Sequence, residues 1–299
     1  MKIFITGGTG FVGTNLAIYL LNKGHSVIAT GTSSAHKSIR HENFRFISAD
    51  STKKGPWQDS IKDVDALINL AGRTIFSRWS EENKKQIYSS RILTTRNLVE
   101  AIPDDKRIVL CSTSAVGYYG NRGEEILKED ASPGKDFLAT VSIDWEKEAF
   151  LAEEKGVRVA VMRFGVVLGK NGGALAKMIP AFKSFAGGPL GSGDQWFPWI
   201  HLDDLVSAIK FILENEDISG PVNFCAPNLV RNRDFAKAFG KVIGRPSFMR
   251  APSFMIRVLM GEMGTVVMSS QRVIPDKLLR NGFEFEYPDI HKALNNLLK

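Results

Sequence analysis

Three glycines near the start of the chain have the spacing of a phosphate-binding loop. Gly7, Gly10 and Gly13 form the pattern G-x-x-G-x-x-G between an apolar strand pattern at 2–6 and a helical pattern at 12–23. One glycine of such a loop permits a tight turn, one lets the backbone approach a pyrophosphate, and one lets the helix pack on the strand. The glycines alone would also suit an ordinary turn, but this context favours a dinucleotide site with the anion at the helix N-terminus. The predicted contacts are Gly7, Thr9, Gly10, Phe11, Val12 and Gly13.

The loop after the next predicted strand, residues 25–30, indicates which dinucleotide binds. An Asp or Glu there would hold the ribose 2′-hydroxyl and repel a 2′-phosphate, and residues 14–41 contain neither. Hydroxyl groups, backbone N–H groups and cations suit a phosphate. The loop supplies them from Gly31, Thr32, Ser33, Ser34, Lys37 and Arg40. We therefore predict NADP, with Gly31 and Thr32 as contacts; NAD stays the alternative, because the usual arginine just past this strand is missing.

Two further strand ends are predicted to line the same site. Asp50 follows the strand pattern at 43–48 and is placed to meet the adenine, although an aspartate that only forms a turn would occupy the same position. Leu70, Ala71 and Gly72 end the strand pattern that begins at residue 65, where small residues let the backbone line the cofactor groove. We expect these four residues to contact the cofactor.

The order of the predicted elements indicates an α/β fold. Strand patterns alternate with helical ones through the first two thirds of the chain. Strands separated by helices form parallel βαβ units, which predicts a Rossmann-type, doubly wound parallel sheet. The later predicted elements are a helix at 80–101, a strand at 107–112, a helix at 140–155, a strand at 157–163, a helix at 202–214 and a strand at 220–224.

We predict two domains. Residues 1–168 form the NADP-binding Rossmann domain, to which residues 200–224 return. Residues 169–199 and 225–299 form a smaller, mainly helical domain that carries the substrate site. The boundary is placed where glycine clusters begin and where prolines start to punctuate a mostly helical pattern.

These segments together resemble an extended short-chain dehydrogenase/reductase. The resemblance rests on the glycine loop, on 69–72, on Ser-Thr-Ser-Ala-Val-Gly-Tyr-Tyr-Gly at 112–120, and on Trp-Ile-His-Leu-Asp-Asp at 199–204. More narrowly, the chain resembles the epimerase-family branch, which is named after nucleoside-diphosphate-sugar epimerases and ends in a domain of unknown function. The marks of that branch lie at 90–91, 115–120, 165–169, 187–193, 261–263 and 270–273.

The resemblance implies a cofactor and a range of reactions. The wider family uses NAD(P) to epimerise, dehydrate or reduce its substrates. By the same resemblance, Leu70, Ala71 and Arg91 contact the cofactor. Arg91 lies on the long predicted helix, where the alternative is a salt bridge on the surface.

The resemblance also implies a reaction centre, which this sequence supplies only in part. Family members use a tyrosine as acid or base, a lysine four residues later, and a serine that polarises the substrate. Ser114 matches the serine. In the helix that carries the pair, Leu138 and Ser142 take the two positions, with Glu146 downstream. None of the five tyrosines has a lysine at that spacing outside the first helix.

Two interpretations of the missing pair stay open. In the first, Tyr118 or Tyr119 replaces the usual acid beside Ser114, and Arg122 supplies a fixed positive charge. The protein is then an oxidoreductase or an epimerase for a small polar or nucleotide-sugar-like substrate. In the second, it is a nonenzymatic NADP(H)-binding regulatory or interaction protein, and the two tyrosines pack under the cofactor.

The composition is that of an ordinary globular protein. Hydrophobic residues make up 43% and charged residues 24%, and the net charge of +7 includes no basic run, so we expect no nucleic-acid partner. No apolar run reaches about 18 residues and no signal-peptide pattern opens the chain, so we expect a cytoplasmic protein that binds no membrane. Cys111 and Cys225 suit reduced, buried thiols. His201, Asp203 and Asp204 are typical of a helix start, and no metal site is predicted.

The predicted partners are an unidentified small molecule and a second copy of the chain. Trp196 and Trp199, in a glycine-rich segment, are placed either to stack on a flat ligand or to fill the space between domains. A homodimer through the helices at 80–101 and 140–155 is expected from the family resemblance.

Overall fold

A seven-stranded parallel sheet forms the centre of the structure. The computed structural model describes residues 1–36, 38–104 and 106–299. The sheet strands are β1 (Lys2–Thr6), β2 (Ser26–Gly31), β3 (Phe44–Ser48), β4 (Ala66–Asn69), β5 (Val109–Ala115), β6 (Arg158–Phe164) and β7 (Gly220–Phe224). Their order across the sheet is β7-β6-β5-β4-β1-β2-β3, with every neighbouring pair parallel. The prediction of a Rossmann-type, doubly wound sheet is confirmed.

Helices cover both faces of the sheet. On one face pack α1 (Phe11–Asn22) and α5 (Leu202–Glu214), and on the other α2 (Glu81–Glu100) and α3 (Phe137–Phe150). A strand that is buried on both faces has a continuous apolar sequence. Strand β1 is an example, because its alternating side chains enter two different cores. Ile3 and Ile5 point into the core under α1 and α5, whereas Phe4 between them points into the core under α2.

The strand order places the glycine loop at a topological switch point. From β1 the chain builds outward to β2 and β3, then crosses back to β4 on the other side of β1 and continues outward to β7. Ligands of open α/β sheets bind at the carboxyl ends of the strands where this reversal occurs. The fold therefore puts the loop after β1 where a ligand site is expected.

The last third of the described chain is mostly helical, as predicted. Its helices are α6 (Asn232–Val242), α7 (Ser253–Met260), α8 (Met263–Val267), α9 (Asp276–Arg280) and α10 (Ile290–Leu298). Phe235 and Phe239 of α6 pack with Leu294 of α10 and with Trp199 in a core of their own. Hydrogen bonds tie this region to helix α5, because Asp204 at the start of that helix accepts the backbone N–H groups of Glu286 and Tyr287 at 2.8 and 3.0 Å.

Several elements were not predicted from the sequence. Helix α4 (Gly173–Lys183) begins at a glycine and contains Pro180, and both residue types disfavour a helix. In the structure the glycine has φ 61°. Two pairs of short strands, Val166–Gly169 with Trp199–His201 and Ile126–Leu127 with Arg272–Val273, join segments far apart in the chain. Short 3₁₀ helices also form at Pro56–Ile61, Val116–Tyr119 and Leu151–Lys155.

Two negative findings hold for the residues that the structure describes. No helix among them is both long enough and apolar enough to cross a bilayer. No cluster of three or more His, Cys, Asp or Glu side chains among them has the arrangement of a metal site.

Candidate functional site

The glycine loop lies directly against the end of β4. Gly7 has φ 71°, and a Cβ atom there would lie 2.8 Å from the carbonyl carbon and oxygen of Leu70. At Gly13, a Cβ atom would overlap the carbonyl oxygen of Gly7 and lie 2.9 Å from Cα of Gly8. The loop closes on itself only because these positions lack side chains, and this brings the predicted contacts after β1 and β4 together.

The N-terminus of α1 is open toward this loop. Gly10 is the N-cap residue and is exposed, no side chain of the described residues caps the helix, and its first turn carries no acidic residue. The first N–H groups of a helix have no partner within the helix, and together with the helix dipole they attract an anion. Phe11 and Val12 therefore offer backbone N–H groups, which is the chemistry that a pyrophosphate needs.

The ring of Phe11 serves packing. It lies against Gly169, Gly172 and Gly173, in the turn between a short strand and α4. This turn thereby covers one side of the first turn of α1. Any contribution of Phe11 to ligand binding must come from its backbone.

The end of β2 joins the same site through Thr9. The Thr9 side chain packs on Gly31, and the N–H of Gly8 donates to the carbonyl oxygen of Thr30 at 2.8 Å. Beyond Gly31 the residues from Thr32 to Ala35 are exposed, and so is Arg40, which has no carboxylate within 4.0 Å in the described chain. Lys37, which the sequence analysis placed here, lies outside the described residues. The hydroxyl groups from Thr32 to Ser34 and the Arg40 cation, which were predicted for a 2′-phosphate, are thus exposed to solvent.

Arg91 approaches the end of β4 from α2. Its guanidinium packs on Gly72, lies 5.2 Å from the ring centroid of Trp145, and donates to the carbonyl oxygen of Ile87 at 2.9 Å. Burial lowers the pKa of Arg91 to about 10. No carboxylate of the described residues lies within 4.0 Å of it. A desolvated cation without a counter-charge is a ready partner for an anionic ligand.

Asp50 forms a local turn at the end of β3. Its Oδ1 accepts hydrogen bonds from the backbone N–H and the hydroxyl of Thr52, at 3.1 and 2.6 Å. This is the turn geometry that the sequence analysis gave as the alternative. The side chain is exposed at the carboxyl edge of the sheet, and its contact with adenine stays a prediction.

Asn69 organises the strand ends behind the site. Its carbonyl oxygen accepts from Thr6 Oγ1 at 2.6 Å, and its amide nitrogen donates to Thr95 Oγ1 at 2.8 Å and Ser112 Oγ at 3.2 Å. It is fully buried. One side chain therefore ties together the carboxyl ends of β1, β4 and β5 with α2.

Two of the three hydroxyl groups predicted for catalysis, those of Ser114 and Tyr119, belong to a buried polar network. Ser114 on β5 donates to Glu146 Oε1 on α3 at 2.6 Å. Glu146 accepts two hydrogen bonds from Arg163 on β6, both of 2.8 Å. Arg163 donates to the hydroxyl of Tyr119 at 2.9 Å, which donates in turn to Asn223 Oδ1 on β7 at 2.7 Å. Ser114, Arg163 and Asn223 are register neighbours across three strands, so the sheet itself aligns them.

This network limits what Ser114 and Tyr119 can do. The proton of Ser114 points at a carboxylate, and the serine is 1% exposed. Tyr119 is fully buried, and burial raises the pKa of its hydroxyl despite the neighbouring Arg163. Both hydroxyl groups are hydrogen-bonded to other residues of the network, as in a group that only stabilises the fold. A catalytic role for either would require these hydrogen bonds to rearrange.

Tyr118 differs from Tyr119. Its ring lies over the guanidinium of Arg163 at 3.5 Å and meets the ring of Tyr119 edge-on at 5.3 Å. It is half-buried, and no described residue forms a hydrogen bond with its hydroxyl. Arg122, predicted to supply charge beside it, instead pairs with Glu125 through two hydrogen bonds of 2.8 and 2.6 Å. The positive charge next to Tyr118 is that of Arg163.

Helix α3 brings the aligned positions to this network. Leu138, Ser142 and Glu146 follow at intervals of four, and Ser142 and Glu146 are buried. Leu138 packs beside Gly117 in the turn that carries the two tyrosines. An apolar side chain and a serine thus occupy the helix face next to Ser114.

The two tryptophans of the glycine-rich segment have different surroundings. Trp199 is 1% exposed and belongs to the core. Trp196 has Arg231 and Arg272 within 4.3 and 4.8 Å of its ring centroid, and its Nε1 donates to Glu124 Oε2 at 3.0 Å. The cations already stacked on Trp196 would have to move before a flat ligand could take their place.

Three residues of this region were not singled out as functional by the sequence analysis. Arg163 and Glu146 form the ion pair of the network, and His36 contacts the glycine loop. The signal for Arg163 was present, because a charged residue in the apolar run of β6 must find a buried partner. His36 carried no such signal.

Comparison with known proteins agrees with the fold and with the family resemblance. Residues 3–225 match the model of the NAD dependent epimerase/dehydratase family, and residues 251–297 match a domain of unknown function, DUF1731. An epimerase family protein SDR39U1 homolog of Arabidopsis thaliana, described as chloroplastic, is 43% identical across all of this chain and 87% of the relative. The epimerase family protein YfhF of Bacillus subtilis is 39% identical across all of this chain and 98% of its own length.

Solved structures give the same result. The human epimerase family protein SDR39U1, crystallised with NADPH, superposes with a TM-score of 0.87 at 31% identity over 99% of both chains. A mutant UDP-glucuronic acid 4-epimerase from Bacillus cereus, solved with NAD and UDP-4-deoxy-4-fluoro-glucuronic acid, superposes with a TM-score of 0.81 over 99% of this chain and 98% of its own. Its identity of 17% makes this second likeness one of fold alone.

Proposed function

Because this chain belongs to the NAD dependent epimerase/dehydratase family, we propose that it binds NADP(H) at the carboxyl edge of its sheet. The observation that carries the proposal is the uncapped, exposed N-terminus of α1, enclosed by a loop that closes only because Gly7 and Gly13 lack side chains. The residues present fit a dinucleotide: the loop and the first turn of α1 would hold the pyrophosphate. The NADPH in the human relative supports this choice of ligand.

The preference for NADP over NAD follows from charge. Residues 14–41 contain no Asp or Glu, so no carboxylate from that segment repels a 2′-phosphate at the end of β2. Gly31 and Thr32 would hold the phosphate, with Arg40 supplying a positive charge. Thr32 and Arg40 are exposed, and Gly31 lies against the Thr9 side chain of the glycine loop.

Arg91 would hold the cofactor from the opposite side of the groove. Its guanidinium lies on Gly72 and lacks a carboxylate partner among the described residues. A bound anionic group would supply the missing counter-charge. Leu70, Ala71 and Gly72 would then line the groove between Arg91 and the glycine loop.

Parallel calorimetric titrations with NADPH and NADH test the proposal, after carried-over nucleotide has been removed. We expect NADPH to bind at least tenfold more tightly, about 1.4 kcal/mol. Gly13→Ala should abolish binding of both nucleotides, because the added methyl group meets the carbonyl oxygen of Gly7. Gly55→Ala is the matched control, since a Cβ atom there would have its nearest contact at 3.6 Å, with Trp57. Equal or tighter binding of NADH would overturn the NADP assignment, and no binding of either would overturn the proposal.

A second candidate function, reduction of a substrate carbonyl, is favoured by one observation. Bound NADPH supplies a hydride, and the protein must supply a proton for the substrate oxygen. Tyr118 is a half-buried residue, its hydroxyl has no hydrogen-bond partner among the described residues, and its ring is stacked on Arg163. We propose Tyr118 as this acid in place of the missing tyrosine–lysine pair.

The loss of a proton donor can be separated from the loss of cofactor. NADPH oxidation is followed with a panel of small aldehydes and ketones, using wild type and Tyr118→Phe. The proposal expects turnover to fall at least a hundredfold in the variant while the Kd for NADPH stays within twofold. Unchanged turnover would remove Tyr118 as the acid. No turnover by the wild type would favour a protein that holds NADP(H) without catalysis, in agreement with the bonded hydroxyls of Ser114 and Tyr119.

A further inference from the structure

His36 connects the loop after β2 to the glycine loop. Its Nε2 lies 3.2 Å from the carbonyl oxygen of Gly8 and 3.4 Å from the hydroxyl of Thr14. A carbonyl oxygen only accepts hydrogen bonds, so Nε2 is the donor in the contact with Gly8. Thr14 donates to the same oxygen at 3.2 Å. The imidazole is therefore anchored at the centre of the glycine loop, 28 residues away in the chain.

The ring of His36 is held in this orientation from β3. Phe44 and Phe46 both meet it edge-on, with ring centroids at 5.2 and 5.6 Å and interplanar angles of 79° and 71°. Edge-to-face contacts of this kind are favourable beyond the burial of the rings. His36 thus has two supports, a hydrogen bond to the loop after β1 and aromatic packing on β3.

The segment between β2 and His36 is fixed at both ends and exposed in the middle. Gly31 is fixed by the Thr9 side chain and by the N–H of Ala49, which donates to its carbonyl oxygen at 2.9 Å. His36 fixes the other end. Between them, the residues from Thr32 to Ala35 are all exposed. A short loop with both ends fixed loses less freedom when it closes on a ligand than a free one does.

We propose that His36 is a positioning residue that sets the preference of this protein for NADP(H) over NAD(H). The inference rests on the proposed NADP(H) site. By holding the segment from Thr32 to Ala35 beside the glycine loop, His36 orders in advance the groups that a 2′-phosphate would contact. NADH lacks that phosphate, so its binding depends on the glycine loop and α1 alone in this region.

Three substitutions separate the roles of the ring and of its hydrogen bond. His36→Ala removes both, His36→Phe keeps the aromatic packing without the donor, and His36→Gln keeps a donor near the position of Nε2. His41→Ala is the matched control, because His41 lies in the same loop, is exposed, and among the described residues its ring has one hydrogen bond, from the neighbouring Asn43 N–H at 3.1 Å. Calorimetry measures the affinity of each variant for NADPH, NADH, 2′,5′-ADP and ADP. ADP serves as the probe that lacks the 2′-phosphate of 2′,5′-ADP.

We expect His36→Ala to weaken NADPH and 2′,5′-ADP at least tenfold and to leave NADH and ADP within twofold. His36→Gln should recover most of the NADPH affinity, and His41→Ala should match the wild type. A purely structural role for His36 would lower the melting temperature without changing the ratio of NADPH to NADH affinity.

The outcomes distinguish this inference from the proposed function. If the wild type binds NADPH tightly and His36→Ala binds it equally well, the role of His36 is refuted and the proposed function stands. If His36→Ala loses NADPH and NADH in equal proportion, His36 supports the glycine loop itself and the inference on selectivity is refuted. If the wild type binds neither nucleotide, the proposed function fails first.

Discussion

The ion pair between Glu146 and Arg163 offers a sharp test of the buried network. Its two hydrogen bonds are both 2.8 Å long, and the side chains are 6% and 2% exposed. Burial by itself would lower the pKa of Arg163, but hydrogen bonds and charge from Glu146 more than offset this and raise it. Glu146→Gln keeps the size of the side chain and removes the charge. Both Arg163 and Ser114 donate hydrogen bonds to the Glu146 carboxylate. The glutamine would present an NH₂ group, which cannot accept, to one of these donors.

The expected cost follows from the burial of the pair. Removing one partner of a buried ion pair costs about 3–5 kcal/mol, because the remaining charge has no compensation. Total stabilities are about 5–15 kcal/mol, so the loss would be a large share. For a chain of 299 residues with an unfolding entropy of about 2.1 cal/mol/K per residue, it corresponds to a fall in Tm of about 5–8 °C.

Urea unfolding followed by circular dichroism measures this cost, and thermal unfolding checks it independently. The control is Glu125→Gln, which breaks a two-bonded arginine pair with Arg122 in which the glutamate side chain is 49% exposed. Surface pairs contribute about 0–1 kcal/mol, so the control should stay close to the wild type. A loss of less than about 1 kcal/mol for Glu146→Gln, at an unchanged m-value, would refute the idea that the network is a structural unit.

Three other predictions concern single groups of the structure. Tyr119→Phe should lower the free energy of unfolding by about 1–3 kcal/mol, because it leaves polar atoms of Asn223 and Arg163 unpaired; a urea titration that matches the wild type would contradict this. Burial raises the pKa of Asp204 from 3.8 to about 6, so the folded protein binds more protons than the unfolded chain between these values, and stability from this group should fall as pH rises from about 4 to 6. Asp204→Asn should remove this fall from the profile of Tm against pH. An unchanged slope of that profile would refute the assignment to Asp204. Arg91→Met should weaken NADPH at least tenfold in calorimetry with no loss of thermal stability, whereas unchanged affinity would leave Arg91 outside the site.

The sheet and its helices were predictable where local pattern and tertiary packing agree. Helix α5 and strand β7 have the bounds that the sequence predicts, because acidic residues open the helix and Val222 and Phe224 alternate with a polar residue in the strand. Helix α4 was missed, since Gly173 and Pro180 oppose a helix locally, whereas the packing of Leu175 and Phe182 into the C-terminal core favours it. The short strand pairs depend on contacts between distant segments, which periodicity does not report.

The glycine loop could be predicted because its contacts depend on local spacing, whereas the polar network depends on residues that are far apart in the chain. Spacing alone specifies a loop in which each glycine has a local task, and the structure places Gly7 and Gly13 accordingly. The partners of Ser114 come from α3, β6 and β7, and no spacing rule connects Glu146 with Arg163 or Tyr119 with Asn223. The hydroxyl groups could therefore be identified from the sequence, but the bonds that occupy them could not.

The glycine loop and the hydroxyl network depend on different parts of the fold, so one can keep its structure while the other changes. The loop is shaped by its approach to Leu70 and by the start of α1, whereas the network is held by β5, β6, β7 and α3. The uncharged residues Leu138 and Ser142 occupy the face of α3 next to Ser114. Glu146 on the same face is paired with Arg163 and accepts the hydrogen bond from Ser114. Effects at separate sites add when they share no partners. The stability loss of Glu146→Gln should therefore be the same with and without Gly13→Ala, and a difference larger than about 0.5 kcal/mol would show that the two sites are coupled.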